Sequence, residues 1–156
     1  MKKSIFILML VSLLSCAKEE EAPEVVIPEP TSFLEKYNNT IWDNGNGVRI
    51  GFVDDTSRFL WTVPLVGDCT FVSNNQSFEA DGGVYTVAVS RNIPAEFIYT
   101  ITFAIGENTA SYTKVFTEAN DQLTEQSILF INSEQDGEPV EVTYNKLAGT
   151  LTTYCN

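Results

Sequence analysis

The stretch Glu96–Ile105, EFIYTITFAI, places a large apolar side chain at every second position. Successive side chains of a β-strand point to opposite faces, so this period of two is typical of a strand with one heavily apolar face. The intervening positions 98, 100, 102 and 104 are lighter. The stretch therefore predicts a long, half-buried strand whose heavy face consists of Phe97, Tyr99, Ile101, Phe103 and Ile105.

The same alternation recurs on both sides of this strand and predicts one domain over residues 31–156. Predicted strands cover 48–53, 59–63, 69–73, 84–90, 110–116, 127–131 and 140–144. Turn-forming residues separate them at 44–47, 54–55, 74–75, 81–83, 106–108 and 136–137. Short strands joined by hairpin-type turns predict an all-β antiparallel fold, either an up-and-down barrel or a β-sandwich. A short helix is predicted in SFLEKY, where Ser32 and Glu35 form a capping-box pattern.

Aromatic side chains supply the candidate interior of this fold. The interior of an eight-stranded barrel is either filled by its own side chains or holds one small ligand. The sequence leaves both alternatives open and predicts no cofactor. The candidate interior residues are Trp42, Phe59, Trp61, Phe97, Tyr99 and Phe103.

Residues suited to catalysis or metal binding are scarce in this chain. It has no histidine, the usual general base near neutral pH, and no Gly-x-Ser-x-Gly nucleophile elbow. The adjacent acids Asp54 and Asp55 are typical of a solvated turn. The run 43–47, DNGNG, is rich in oxygen ligands but lacks the distal glutamate of an EF-hand loop, so we interpret it as a hairpin turn. We expect neither an enzyme nor a metal site.

The N-terminus carries the features of an export signal. Lys2 and Lys3 precede an apolar run, 5–14, of about ten residues, roughly half of what a membrane-spanning helix needs. The segment 13–16, LLSC, resembles the lipobox of bacterial lipoproteins, whose cysteine receives a diacylglyceryl group before cleavage. The resemblance implies a signal peptide over 1–15 and a mature chain that begins at fatty-acylated Cys16. The alternative is an ordinary cleaved signal with a coincidental cysteine.

A second targeting signal follows Cys16 directly. Lys18, Glu19 and Glu20 resemble the motif that sends lipoproteins of Bacteroidetes to the outer face of the outer membrane, and the alternative is the solvated start of a linker. Residues 16–30 are rich in proline and glutamate, a composition typical of an extended linker. We therefore expect a lipid-anchored protein of the outer membrane, exposed at the cell surface.

The lipobox resemblance also bears on the other cysteines. The chain has three, an odd number for an exported protein, and acylation of Cys16 would leave Cys69 and Cys155. An oxidising compartment would allow these two to form a disulfide that fastens the last strand. Two separate buried thiols are the alternative.

The start of the domain carries a further resemblance. Residues 33–42, FLEKYNNTIW, run from the predicted helix into a strand with a tryptophan, and this is similar to the lipocalin-like domains of Bacteroidetes lipoproteins. Thr40 replaces the glycine of the lipocalin Gly-x-Trp signature. Lys146 is the candidate stand-in for the lipocalin arginine that packs over this tryptophan, here Trp42. The resemblance implies an up-and-down barrel of about eight strands, without implying a ligand.

Charge restricts the partners of the chain. The formal net charge is −12, and a chain this acidic repels the phosphate backbone of nucleic acids, which bind basic surfaces. Membrane contact is expected through the lipid anchor alone. One predicted function is a non-catalytic interaction or structural module that contacts an envelope protein. The alternative is a binding protein for a small hydrophobic or glycan-derived ligand in the mouth of the barrel.

Overall fold

The chain folds into antiparallel β-structure, as its alternation predicts. The structure, a computed structural model, describes residues 28–155 other than 56, 81, 82 and 106. The predicted signal peptide (1–15), Cys16 and the residues Lys18, Glu19 and Glu20 lie outside the described residues. Within the described part of the chain, eleven strands belong to one sheet and neighbouring strands pair antiparallel. The all-β fold class is therefore confirmed.

Two short helices flank the strands. In chain order the elements are α1 (Phe33–Lys36), β1 (Thr40–Asp43), β2 (Arg49–Phe52), β3 (Leu60–Val63), β4 (Thr70–Val72), β5 (Ser77–Ala80), β6 (Gly83–Ile93), β7 (Glu96–Ile105), β8 (Asn108–Ala119), β9 (Gln122–Ile131), β10 (Glu134–Gln135), β11 (Val140–Lys146) and α2 (Leu151–Tyr154). The spatial order is β4-β3-β2-β1-β11-β9-β8-β7-β6-β5, with β10 paired to β9 beside this path. Strands β5 and β10 and helix α2 add to the predicted elements.

The sheet is folded over on itself so that one of its faces is enclosed. Strands β2 and β8 are four places apart in the sheet, which would separate them by about 19 Å if the sheet were flat. Yet the ring centroids of Phe52 on β2 and Phe116 on β8 lie 5.4 Å apart. Phe59, just before β3, likewise lies 5.2 Å from Phe97 on β7. These aromatic contacts join the two halves of the sheet into one core.

Helix α1 covers one end of this core. The Glu35 N–H donates to Ser32 Oγ at 3.1 Å, so the predicted N-cap is confirmed, although the Glu35 carboxylate bonds to Thr31 rather than closing the capping box. The Leu34 N–H donates to Asn92 Oδ1 at the end of β6, and the Tyr37 hydroxyl donates to Glu118 at the end of β8. The helix is thereby fastened across the ends of the long strands.

Two tight turns set the register of β8, β9 and β10. Both central residues of each turn have positive φ, namely Asn120 (55°) with Asp121 (60°) and Asn132 (49°) with Ser133 (72°). Such pairs are typical of type I′ turns, whose twist matches that of the flanking strands. The pairing of β8 with β9 accordingly runs without a shift along both strands, which decides which side chains share a face.

The strands differ greatly in length, and this leaves part of the inner face open. Strands β1 to β4 have three or four residues each, whereas β6 to β9 have ten to twelve. Short strands can cover only the α1 end of the long ones. Beyond that point the inward side chains of β7, β8 and β9 continue without short strands opposite them.

One predicted interior residue lies on the other side of the sheet. Trp61 pairs with Gly51 and belongs to a smaller outer cluster with Ile41, Val63 and Leu151, whereas Phe59 and Leu60 belong to the main core. Phe59 precedes β3, so the strict alternation that would place it on the face of Trp61 does not apply to it. The interior position predicted for Trp61 is therefore wrong.

The outer cluster is covered by α2, where a last strand was expected to end. Leu151 is buried against Gly51, where a Cβ would lie 2.7 Å from Leu151 Cδ1 and 3.0 Å from the Thr40 carbonyl oxygen. The sulfur atoms of Cys69 and Cys155 are 1.99 Å apart, so the predicted disulfide is confirmed. It fastens a C-terminal helix to the outer face, and the expectation that it holds a strand is wrong.

Loss of this disulfide should be costly, because it closes a long loop. We expect the double change Cys69→Ser/Cys155→Ser to lower the free energy of unfolding by roughly 4 to 5 kcal/mol, given its sequence separation of 86 residues. Urea unfolding of a soluble chain that begins at residue 17 measures this. As a control, alkylation followed by mass measurement should find the two thiols only after reduction. Labelling of both in the unreduced native chain would contradict the bridge.

Candidate functional site

A row of polar side chains crosses the inner face where the aromatic core ends. Tyr99 on β7 is paired with Lys114 on β8, and Lys114 with Ser127 on β9. One step toward α1, the paired residues are Phe97, Phe116 and Glu125. Because paired residues in a sheet share a face, the register brings polar groups from three strands together. We call Tyr99, Lys114, Glu125, Ser127 and Tyr144 the polar row.

Hydrogen bonds and an ion pair link most of the polar row. The Lys114 ammonium contacts Glu125 Oε1 and donates to Ser127 Oγ at 2.7 Å. Ser127 Oγ donates to Glu125 Oε1 at 3.1 Å, and the Tyr144 hydroxyl donates to Glu125 Oε2 at 2.8 Å. The carboxylate thus accepts from three donors, which compensates for its removal from water.

Burial makes this arrangement unusual for charged groups. Glu125 is only 7% exposed, and the side chain of Lys114 is 25% exposed. Burial raises the pKa of the Tyr99 hydroxyl, and the neighbouring Glu125 charge raises it further. Burial, followed by the charge and hydrogen bond of Glu125, likewise raises the pKa of Tyr144. Both tyrosines therefore stay protonated near neutral pH, so each hydroxyl keeps a proton that it can donate.

Some hydrogen-bond donors of the polar row are not used within the row. A lysine ammonium carries three N–H donors, and only two of those of Lys114 are used by Glu125 and Ser127. The hydroxyl of Tyr99, a residue only 3% exposed, makes no hydrogen bond to any residue that the structure describes. Three of the acceptor positions of the Glu125 carboxylate are used by donors of the row itself. An incoming group that accepts hydrogen bonds would therefore complete the row.

Apolar side chains continue the inner face beyond the polar row. Ile101, Tyr112 and Leu129 are paired across β7, β8 and β9, and Phe103, Ala110 and Ile131 form the next paired set. Tyr112 is 48% exposed and Ile131 is 44% exposed. A depression of about 260 Å³ lies at the far end, lined by Phe103, Ala110, Ile131 and the first two residues of β8, Asn108 and Thr109. We call the surface formed by these six apolar residues, Ile101, Phe103, Ala110, Tyr112, Leu129 and Ile131, the open apolar face.

The candidate interior residues divide between these regions. Trp42, Phe59, Phe97 and Tyr99 are buried in the main core, while Phe103 lies on the open apolar face. Sequence reasoning missed the other members of the polar row. A signal was present, because the alternation in 110–116 puts Lys114 in phase with Phe116. A lysine on the predicted inward face of a strand indicates that a buried partner, here Glu125, must lie nearby.

In the acidic turns, the carboxylate oxygens accept hydrogen bonds from residues close by in the sequence. Asp43 Oδ1 accepts from the Gly45 N–H at 2.6 Å, and Asp43 Oδ2 accepts from Arg49 Nε at 2.8 Å. The Arg49 guanidinium and the Gly45 N–H lower the pKa of Asp43. Asp55 accepts from the N–H and hydroxyl of Ser57. In the described part of the chain, no cluster of three or more His, Cys, Asp or Glu side chains is placed to hold a metal ion.

Comparison of the whole chain with protein families, with curated proteins and with solved structures finds no significant match. Among the described residues there is also no helix with the length and apolar character needed to cross a bilayer.

The ion pair of the polar row is open to a direct test. We expect Lys114→Met to lower the free energy of unfolding by roughly 3 kcal/mol, because it leaves the Glu125 charge buried without its cation. The double change Lys114→Met/Glu125→Gln should recover most of that loss, since the amide oxygen can accept from the Tyr144 hydroxyl while the amide NH₂ donates to Ser127 Oγ. Urea unfolding of the variants measures both values. A single variant as stable as the unchanged protein would show that the pair is not buried.

Proposed function

We propose that this protein is a non-catalytic binding module of the bacterial cell envelope. Its ligand is an amphiphile whose apolar chain lies on the open apolar face and whose head group meets the polar row. The observation that carries the proposal is the pair of unused donors on Lys114 and Tyr99, adjacent to a half-exposed apolar surface. Ligand sites in proteins commonly combine apolar walls with a few placed polar groups.

The proposed architecture is a lipocalin-like up-and-down barrel. Contacts between rings on β2 and β8 support closure of the sheet. So does the chain between β4 and β5, where Asn75 and Gln76 exchange backbone hydrogen bonds with Val87 on β6. Lys146 Nζ lies 5.9 Å from the ring centroid of Trp42, the position expected of a stand-in for the lipocalin arginine. Strands β4 and β5 form the two edges of the sheet and follow each other in the chain. If the segment that contains them joins the two edges, little of either edge is left exposed.

The proposed location is the outer membrane, with a lipid anchor at Cys16. Support comes from the lipobox-like segment 13–16, from Lys18, Glu19 and Glu20, and from the acidic linker. The described chain enters the domain at α1, and the open apolar face lies at the opposite ends of the long strands. From Glu118 to Ala110 along β8 this separation is about 27 Å. The ligand surface would therefore lie at the end of the domain opposite the linker.

The polar row favours a neutral head group over an anion. Lys114 is already paired with Glu125, so the row carries no net charge, and a second carboxylate would meet the Glu125 charge at short range. A carbonyl or hydroxyl oxygen can accept from Tyr99 and Lys114 without that repulsion. We therefore infer that esters or glycerides of fatty acids bind better than free fatty acids.

A second candidate function is an interaction module for an envelope protein. It is favoured by the filled core at the α1 end, where Phe33, Phe52 and Phe116 are fully buried, and by exposed apolar residues in the loop after β3. Leu65 is 63% exposed and Val66 is 91% exposed. A protein partner would contact this loop rather than the inner face.

Ligand binding is tested with 1-lauroylglycerol, laurate and methyl laurate. We expect 1-lauroylglycerol to raise the unfolding midpoint, since a ligand at 100 times its dissociation constant adds roughly 2.7 kcal/mol of stability. Tyr99→Phe removes only the unused hydroxyl and should weaken 1-lauroylglycerol binding about three- to tenfold, as loss of one hydrogen bond does. Ser111→Ala, on the outer face of β8, is the control. Equal binding by Tyr99→Phe, or preference for laurate, would contradict the proposed head-group site.

The anchor is tested in cells. Cys16→Ser should abolish incorporation of labelled palmitate and yield an uncleaved or soluble precursor, because the thiol that accepts the lipid is gone. Cys69→Ser, which leaves Cys16 in place, should retain the label. Protease treatment of intact cells should remove the unchanged protein. Continued labelling of Cys16→Ser would refute the lipobox interpretation, and complete protection from protease would refute surface exposure.

A further inference from the structure

A second cavity lies on the outer face of the sheet, next to α2. Its volume is about 290 Å³. Val53, Trp61 and Leu151 provide apolar surface, while the polar atoms come from Asn38, Asn39 and Thr152. No Lys, Arg, Asp or Glu side chain of the described chain lines it. We call this cavity the Trp61 pocket.

The indole of Trp61 presents carbon surface to the pocket. Its Nε1–H donates to the Arg58 carbonyl oxygen at 3.0 Å, so the one polar atom of the ring is already engaged. The ring also packs against Phe71 at 5.2 Å, and the Arg58 guanidinium lies 5.0 Å from the Phe71 ring centroid. Trp61 is thus half-buried and forms an aromatic wall of the pocket, and its contacts with Arg58 and Phe71 hold the ring in place.

Two carboxamide groups bring hydrogen-bonding capacity to the same pocket. Asn38 Oδ1 accepts from the Asp54 N–H at 3.0 Å, and Asn39 Oδ1 accepts from the Thr152 N–H at 3.1 Å. These bonds fix the orientation of both side chains. Neither NH₂ group donates to any residue that the structure describes, so up to four N–H donors are free.

Hydrogen bonds and the disulfide hold the walls of the pocket in place. Asn39 has φ 58° and is held by backbone hydrogen bonds to Phe52 and Leu151. The disulfide fastens Cys155, which also lines the pocket, to Cys69. A ligand therefore meets a preformed cavity, and little conformational entropy is lost when it binds.

We propose that the Trp61 pocket binds a single ring of a neutral saccharide. The C–H face of a sugar ring packs against an aromatic side chain, and its hydroxyl groups can accept from the amides of Asn38 and Asn39. The volume is at the small end for ligand sites, which suits one ring. An anion finds no cation among the lining residues, and an alkyl chain would leave the amide donors without partners. This site is separate from the polar row and does not depend on the function proposed for it.

The test is a titration followed by two-dimensional amide NMR. The full chain, purified in a detergent without a sugar head group, is titrated with the methyl glycosides of glucose, galactose, mannose and N-acetylglucosamine. At least one glycoside should cause saturable shifts of the Asn38 and Asn39 side-chain amides and of the Trp61 indole N–H. The shifts should saturate in the millimolar range, as expected for one small ring.

Two variants and a control make the result specific. Trp61→Ala should weaken binding about tenfold by removing the aromatic wall. Asn38→Asp keeps the acceptor for the Asp54 N–H but removes the NH₂ donors, and should weaken binding about threefold or more. Ser111→Ala, on the outer face of β8 and not among the lining residues, should bind the glycoside unchanged.

The proposal is overturned if none of the four glycosides causes a saturable shift at the pocket. Undiminished affinity in Asn38→Asp would also overturn it, and this variant decides the matter if Trp61→Ala does not fold. Failure of 1-lauroylglycerol to bind would refute the function proposed for the polar row and leave this result intact.

Discussion

The structure depends on aromatic packing between strands that are distant in the sheet. Phe52 on β2 contacts both Phe97 on β7 and Phe116 on β8, and all three rings are fully buried. These contacts require the sheet to fold over, because a flat sheet would hold β2 and β8 far apart. Burying large rings on one enclosed face supplies the hydrophobic stabilisation that offsets the loss of chain entropy. The position of α1, with Phe33 inserted among the same rings, follows from this core.

The unequal strands divide the enclosed face into two regions with different properties. Near α1, aromatic side chains fill the space. Farther along β7, β8 and β9, apolar residues remain half-exposed, and the polar row marks the boundary. Lys114, Ser127 and Tyr144 all contact the Glu125 carboxylate there, which compensates for its burial. Burial of this pair without those partners would cost several kcal/mol. The boundary thus combines a carboxylate that accepts from three donors with donors on Lys114 and Tyr99 that no described residue uses.

The outer face of β1 to β3 has a separate organisation. Gly51 lets Leu151 approach the sheet, and the Cys69–Cys155 disulfide holds α2 there. The α1–β1 turn and α2 then line the Trp61 pocket, to which the described chain contributes no Lys, Arg, Asp or Glu side chain. The two candidate ligand surfaces thus lie on opposite faces of the same sheet, and substitutions at one should leave the other unaffected.

The sequence by itself determined features that rest on local geometry. The heavy face of β7, the Ser32 cap and the all-β class follow from side-chain alternation and from hydrogen bonds within a few residues. The Cys69–Cys155 pair followed from counting cysteines, once Cys16 was set aside as the candidate acylation site. The tertiary structure alone decided that the sheet folds over, that Trp61 faces outward, that α2 replaces the end of a strand and that Lys114 meets Glu125. Each of these depends on register or on contacts between residues far apart in the chain, and alternation within one strand carries no information about its partners.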